Sequence, residues 1–161
     1  MRARSHRPIP AQRRSNVFGL DLSPQMLQQA RQLNPQISFI EGDIFALDLE
    51  SNLLAGIAAF YAIVNLPPES LPLAFSEMQR VLEPGGLLLL AFHTGQEIIH
   101  VDQMWEQPVS MDFFYFEPTA IRHQLETAGF TIEEIIEREP YAPAVEHQSR
   151  RAYIFARKPI R

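Results

Sequence analysis

The sequence has no cysteine, which excludes disulfides and thiolate metal sites and makes a reducing, cytoplasmic location the expectation. Glycine is scarce, and Gly19 is the only one before residue 42. No apolar run approaches the ~18 residues that span a bilayer. The run Leu87 to Phe92 is strand-sized, so no membrane partner is expected. Basic residues are scarce after the start of the chain. Residues 1–16 hold five Arg and no acid, whereas the rest carries nine Lys and Arg against nineteen Asp and Glu, a net charge of −10. An acidic body with no basic, aromatic-lined stripe excludes nucleic acid as the main partner.

What the sequence does contain is enough apolar material, 46% of 161 residues, for one domain with a real core. Residues 1–16, rich in Arg, Ser and Pro, read as a disordered basic leader. They hold no apolar stretch long enough for a secretory signal. Pro8 and Pro10 work against an amphipathic transit helix. Residues 17–161 read as the domain.

The stretch Val17 to Leu27 organises the domain. Val17, Phe18 and Leu20 form an apolar strand that ends in Asp21. Ser23 is placed to cap a helix, and Pro24 suits its first position. Met26, Leu27, Ala30 and Leu33 keep helical spacing, and Asn34-Pro35 closes the helix. Ligands in open parallel sheets bind at the carboxyl ends of strands. There a carboxylate can accept from both hydroxyls of a ribose, which makes Asp21 the first candidate for holding a nucleoside.

Further on, the spacing predicts strands over 37–41, 56–63 and 87–92, the second of these buried on both faces and the third a second fully apolar run. Residues 48–55 read as helix or loop. A second helix is expected over 71–82, stopped by Glu83-Pro84-Gly85-Gly86, and a third over 118–128, ended by Gly129. Residues 94–116 read as irregular but carry the aromatic cluster Trp105, Phe113, Phe114, Tyr115 and Phe116. That cluster suits a substrate-pocket wall and a packed satellite of the core equally well. Strands over 131–138 and 151–157, joined only by a loop, are expected to pair antiparallel. Strands alternating with helices imply an α/β, Rossmann-like, mostly parallel sheet with helices on both faces.

Asp21-Leu22-Ser23-Pro24, then Glu41-Gly42-Asp43-Ile44, then Leu82-Glu83-Pro84-Gly85-Gly86 before an apolar strand, resemble a class I S-adenosylmethionine-dependent methyltransferase of the small-molecule type. The resemblance covers roughly residues 17 to 158. It implies S-adenosyl-L-methionine as cofactor and a small-molecule methyl acceptor. It also implies that Asp21 binds the ribose hydroxyls, Leu22 and Ile44 cover the two adenine faces, Asp43 accepts from the adenine amino group, and Tyr61 lies under the methionine part.

The family pattern opens with a strand, a Gly-x-Gly-x-Gly loop and a helix, and none precedes Val17. A βαβ unit needs about thirty residues. The expectation is therefore an N-terminally shortened or frame-shifted domain with two unpaired strand edges. Such edges invite self-association, and the activity of the chain by itself is left open. Two other readings stay open: a non-catalytic fold relative or subunit, and a nucleotide-binding oxidoreductase, since an Asp after a strand also suits a dinucleotide ribose.

Other candidates follow the strands. Asn65 lies after the third strand, where an acceptor contact or a plain turn would sit. His93 directly follows the fourth strand and is the favoured substrate contact, with Glu97 to orient it. His93, His100 and Asp102 match no metal-ligand spacing, so no metal is expected. Tyr141, His147, Arg150 and Arg151 flank the last loop, where the arginines suit either a substrate anion or surface pairing.

Overall fold

The computed structural model describes residues 16–104 and 106–160. The basic leader expected over 1–16 falls almost wholly outside the described residues, as does Trp105. Two compact units divide the chain, Met1–Asp43 and Ile44–Arg161.

In the first unit, β1 (Phe18–Asp21) pairs parallel with β2 (Ser38–Glu41) through α1 (Pro24–Leu33). The helix starts where its cap chemistry requires. Ser23 Oγ accepts from the Met26 N–H at 3.3 Å, and Pro24 occupies a position whose N–H would have no partner. It ends where the Asn34 N–H donates to the Ala30 carbonyl at 2.9 Å. Leu27 is the one fully buried helix residue. Gly19 lies against the Phe39 ring, with no room there for a Cβ.

The second unit is built on a sheet of order β3-β4-β8-β7, comprising β3 (Leu54–Phe60), β4 (Leu82–His93), β8 (Arg151–Arg157) and β7 (Thr131–Arg138). β3 and β4 are parallel, and the other two pairings are antiparallel. The expected closing antiparallel pair is therefore present, with the last strand inserted between β4 and β7. Along one face, Leu88, Leu90 and Phe92 of β4 and Ala152, Ile154 and Ala156 of β8 are buried. They pack with Phe75 and Met78 of α2 (Leu71–Val81) and with Ile121 and Leu125 of α3 (Pro118–Thr127) in one core. Alternation along the strands sends every second residue to this face.

The structure differs from the sequence expectations at three places. First, β3 is not buried on both faces: Phe60 is 54% exposed, and only Ala59 is fully buried. Among the described residues β3 has a ladder partner on one side only. Second, residues 94–116 are not irregular. They hold the antiparallel hairpin of β5 (Ile98–Met104) and β6 (Gln107–Phe114). Its turn contains Glu106 at φ 63°, a position where sequence would signal glycine or asparagine. Third, Leu73 of α2 points outward at 55% exposure.

Two cations fasten the connections. Arg80 donates to the Leu47 and Leu49 carbonyls at 2.9 and 2.8 Å and pairs with Glu77, fixing the segment before β3 as a loop. Lys158 Nζ reaches the Gln79 and Leu82 carbonyls at 2.7 and 2.8 Å, caring for the orphan oxygens at the end of α2. The Pro-Gly-Gly stop takes its shape here. Gly85 has φ +82°, and Lys158 exchanges backbone hydrogen bonds with Gly85 and Gly86.

Leu90 has no exposed surface and lies at the centre of this core. Leu90→Ala is expected to lower stability by about 2–5 kcal/mol. Guanidinium unfolding should show this as a shifted midpoint with an unchanged slope.

Candidate functional site

Each unit presents one group of sequence-selected residues at the carboxyl ends of parallel strands. In the first unit, Asp21 ends β1 and stands in register with Glu41 at the end of β2. The Gly42 N–H donates to the Asp21 carbonyl at 3.1 Å, so Asp43 follows immediately beside the same edge. Asp21 Oδ1 accepts from the Ser23 N–H at 2.8 Å, which fixes the carboxylate as the chain turns into α1. Asp21, Leu22 and Asp43 are all exposed. This donor set suits a nucleoside: carboxylate acceptors for hydroxyl and amino protons, and an open leucine for an apolar ring face.

In the second unit, Ile44 is half-buried against the core. Tyr61 stands one residue beyond β3, not within it, at φ 54°. Its N–H donates to the Ala91 carbonyl at 2.9 Å, which brings it beside the end of β4. Asn65 is exposed and donates through Nδ2 to the Asp112 carbonyl at 3.0 Å, holding the hairpin.

His93, the last residue of β4, has the richest surroundings. Its ring lies 4.9 Å from that of Tyr61, tilted by 30°, and 5.2 Å from that of Tyr115, stacked at 24°. The His147 ring meets it edge-on at 5.8 Å. Nδ1 is 2.6 Å from Ser149 Oγ. Ser149, not Glu97, therefore holds the imidazole, while Glu97 Oε2 accepts from the Gln96 N–H. Burial, then the positive Arg151, push the His93 pKa down to about 4. Burial likewise pushes the Tyr61 and Tyr115 hydroxyls upward, against the pull of the Arg151 and Ser149 hydrogen bonds respectively. At neutral pH the cluster thus holds an uncharged imidazole between two protonated phenols. His100 is elsewhere, bound to Asp112 at 2.7 Å and Asp102 at 3.0 Å in the hairpin.

Arg151 is buried, donating to the Tyr61 hydroxyl at 2.8 Å and the Ser149 carbonyl at 3.0 Å. Its counter-charge is Glu146, at 3.2 Å. The same carboxylate takes two bonds from Arg138, at 2.6 and 3.0 Å, and one from the Tyr141 N–H. The Arg138 pairing leads in holding the Glu146 pKa down to about 2. Arg150, by contrast, pairs at the surface with Glu137 and Glu139. Glu146 and Ser149 were not singled out by sequence. The available signal was an acid inside a loop flanked by arginines at the ends of both adjoining strands.

These observations define an α/β chain with a nucleoside-suited strand edge and a neutral histidine cluster. The chain belongs to the methyltransferase domain family, whose model matches residues 5–86, and its fold is that of class I S-adenosylmethionine-dependent methyltransferases. It is 32% identical over 92 residues to malonyl-[acyl-carrier protein] O-methyltransferase of Pectobacterium atrosepticum, covering 57% of this chain and 36% of that protein. It is 37% identical over 82 residues to ubiquinone/menaquinone biosynthesis C-methyltransferase UbiE of Campylobacter jejuni, covering 51% and 34%. The chain thus spans about a third of the length of these curated relatives. A solved SAM-dependent methyltransferase from Methanosarcina mazei superposes with a TM-score of 0.78 at 14% identity, covering 90% of this chain and 82% of that one. The [4+2]-cyclase SpnF superposes at 0.67 with 19% identity, covering 90% and 67%. No helix among the described residues is long and apolar enough to cross a membrane.

The depressed carboxylate and imidazole both make stability fall with falling pH, in successive ranges. The Glu146 clamp contributes fully above the ordinary carboxylate range and is lost as pH falls toward about 2. For His93 the unfolded chain takes up its proton near 6.5, before the folded chain does near 4, so stability declines as pH falls across that interval. In Glu146→Gln the remaining arginine charges are uncompensated. The His93 titration, followed by imidazole NMR, is expected to move below its wild-type midpoint, and the Tyr141 amide to exchange faster.

Proposed function

We propose that the chain binds S-adenosyl-L-methionine and serves methyl transfer to a small-molecule acceptor. The observation that carries this reading is the pair Asp21 and Asp43, the first ending β1 and the second two residues beyond the neighbouring parallel β2, with Gly42 bonded back to Asp21. Asp21 accepts from the ribose hydroxyls, Asp43 accepts from the adenine amino group, and Leu22 covers a face of the base. A carboxylate accepting two hydroxyl protons is a strong, directional clamp. The bound cofactor supplies an electrophilic methyl group. The protein's contribution is chiefly positioning, which can lower such a barrier by several kcal/mol. His93 contacts the acceptor, and Asn65 secures the hairpin beside it. The fold alone does not carry the activity, since one scaffold serves many chemistries.

Calorimetry with S-adenosylhomocysteine and with NAD tests the reading. Binding of the former and not the latter is expected. Asp21→Ala should weaken it about tenfold or more, the cost of removing a charged hydrogen-bond acceptor. Binding of NAD alone, or of neither ligand, would overturn the proposal.

A further inference from the structure

Resting on that reading, we infer that His93 Nε2 is the proton acceptor for a hydroxyl-bearing methyl acceptor, and that Ser149 is the residue that positions it. Nδ1 is engaged by Ser149 Oγ at 2.6 Å, while no described residue bonds Nε2. The Tyr61 and Tyr115 rings both contact the imidazole, at centroid distances of 4.9 and 5.2 Å. Ser149 is itself fixed. It is 8% exposed, its carbonyl accepts from Arg151, and its N–H donates to the His147 carbonyl at 3.0 Å. With Nδ1–H donating to Ser149, the lone pair of the ring is on Nε2.

The charges that face His93 select the class of acceptor. Arg151 of β8 and His147 of the β7–β8 loop disfavour a cation there, and Glu146 opposes them only in part. A protonated amine is therefore disfavoured, whereas a phenol or enol, whose oxygen gains negative charge as its proton leaves, is favoured. In the reaction the acceptor O–H bond breaks and its proton passes to Nε2. The oxygen–methyl bond forms with S-adenosylmethionine as donor, and the sulfur keeps the electron pair of the broken S–C bond. Imidazolium returns its proton to water readily, since burial and Arg151 disfavour it.

The test is imidazole 15N NMR on the full chain, with 4-nitrophenol as hydroxyl probe and 4-nitroanisole as the ring without the O–H. Wild type is expected to show the Nδ1–H tautomer at neutral pH, with Nε2 shifted by 4-nitrophenol and not by 4-nitroanisole. Ser149→Ala should scramble the tautomer and weaken the phenol about three- to tenfold, the loss of one hydrogen bond's worth of orientation. Ser149→Thr, which keeps the hydroxyl, should restore both. The Nε2–H tautomer in wild type, or equal shifts from the two probes, would overturn the inference even where Ser149→Ala fails to fold. S-adenosylhomocysteine calorimetry on the same samples reads the cofactor proposal separately, so either idea can fall alone.

Discussion

Glu146 is the carboxylate on which the second unit's polar end depends. It lies between Arg138, at the end of β7, and Arg151, at the start of β8, and so closes the loop that joins them. Arg151 is almost wholly buried, and a buried guanidinium without a counter-charge is strongly destabilising. The pair is thus worth more as a constraint than as an attraction. With Glu146 fixed, His147 and Ser149 have little freedom, and both are delivered to His93. Arg138 adds a cation–π contact over the Tyr141 ring at 4.2 Å, which holds the near side of the same loop.

That clamp explains how one strand end becomes chemically distinctive on a widely used scaffold. A methyltransferase from an archaeon and a cyclase share this fold with the chain at low identity, so the sheet itself says little about chemistry. The distinguishing features are placed by side chains beyond the strand ends. Tyr61 in a left-handed conformation, Tyr115 after β6 and Ser149 before β8 come from three connections and meet on one imidazole. A non-glycine residue with positive φ is held only where its surroundings compensate. The Arg151 bond to its hydroxyl and the His93 ring beside it are that compensation.

Much of the fold was legible because local chemistry and tertiary context agree. Ser23-Pro24 and Asn34-Pro35 delimit α1, and the strands over 131–138 and 151–157 are observed as the pattern indicates. The hairpin was not legible because Asp102, Gln103, Glu106 and Gln107 interrupt its apolar pattern and no glycine marks its turn. The exposure of β3 was not legible either, since an apolar run does not reveal how many neighbours it has. Asp21, Asp43 and His93 were chosen as candidates by position, as residues at or just after strand ends. Ser149 was hidden because it is 56 residues from the ring it holds, and nothing local distinguishes it from a loop serine.

The position of β8 carries a consequence for how the chain is made. The strand is the last of the described strands in chain order yet occupies an interior place, between β4 and β7. Until Arg151–Arg157 has been synthesised, β4 and β7 each present an unsatisfied ladder edge, and Lys158 cannot seal the end of α2. The second unit can therefore complete its sheet only once this last strand has joined it. Through that interval its apolar strands have only helix packing to shield them from pairing with other chains.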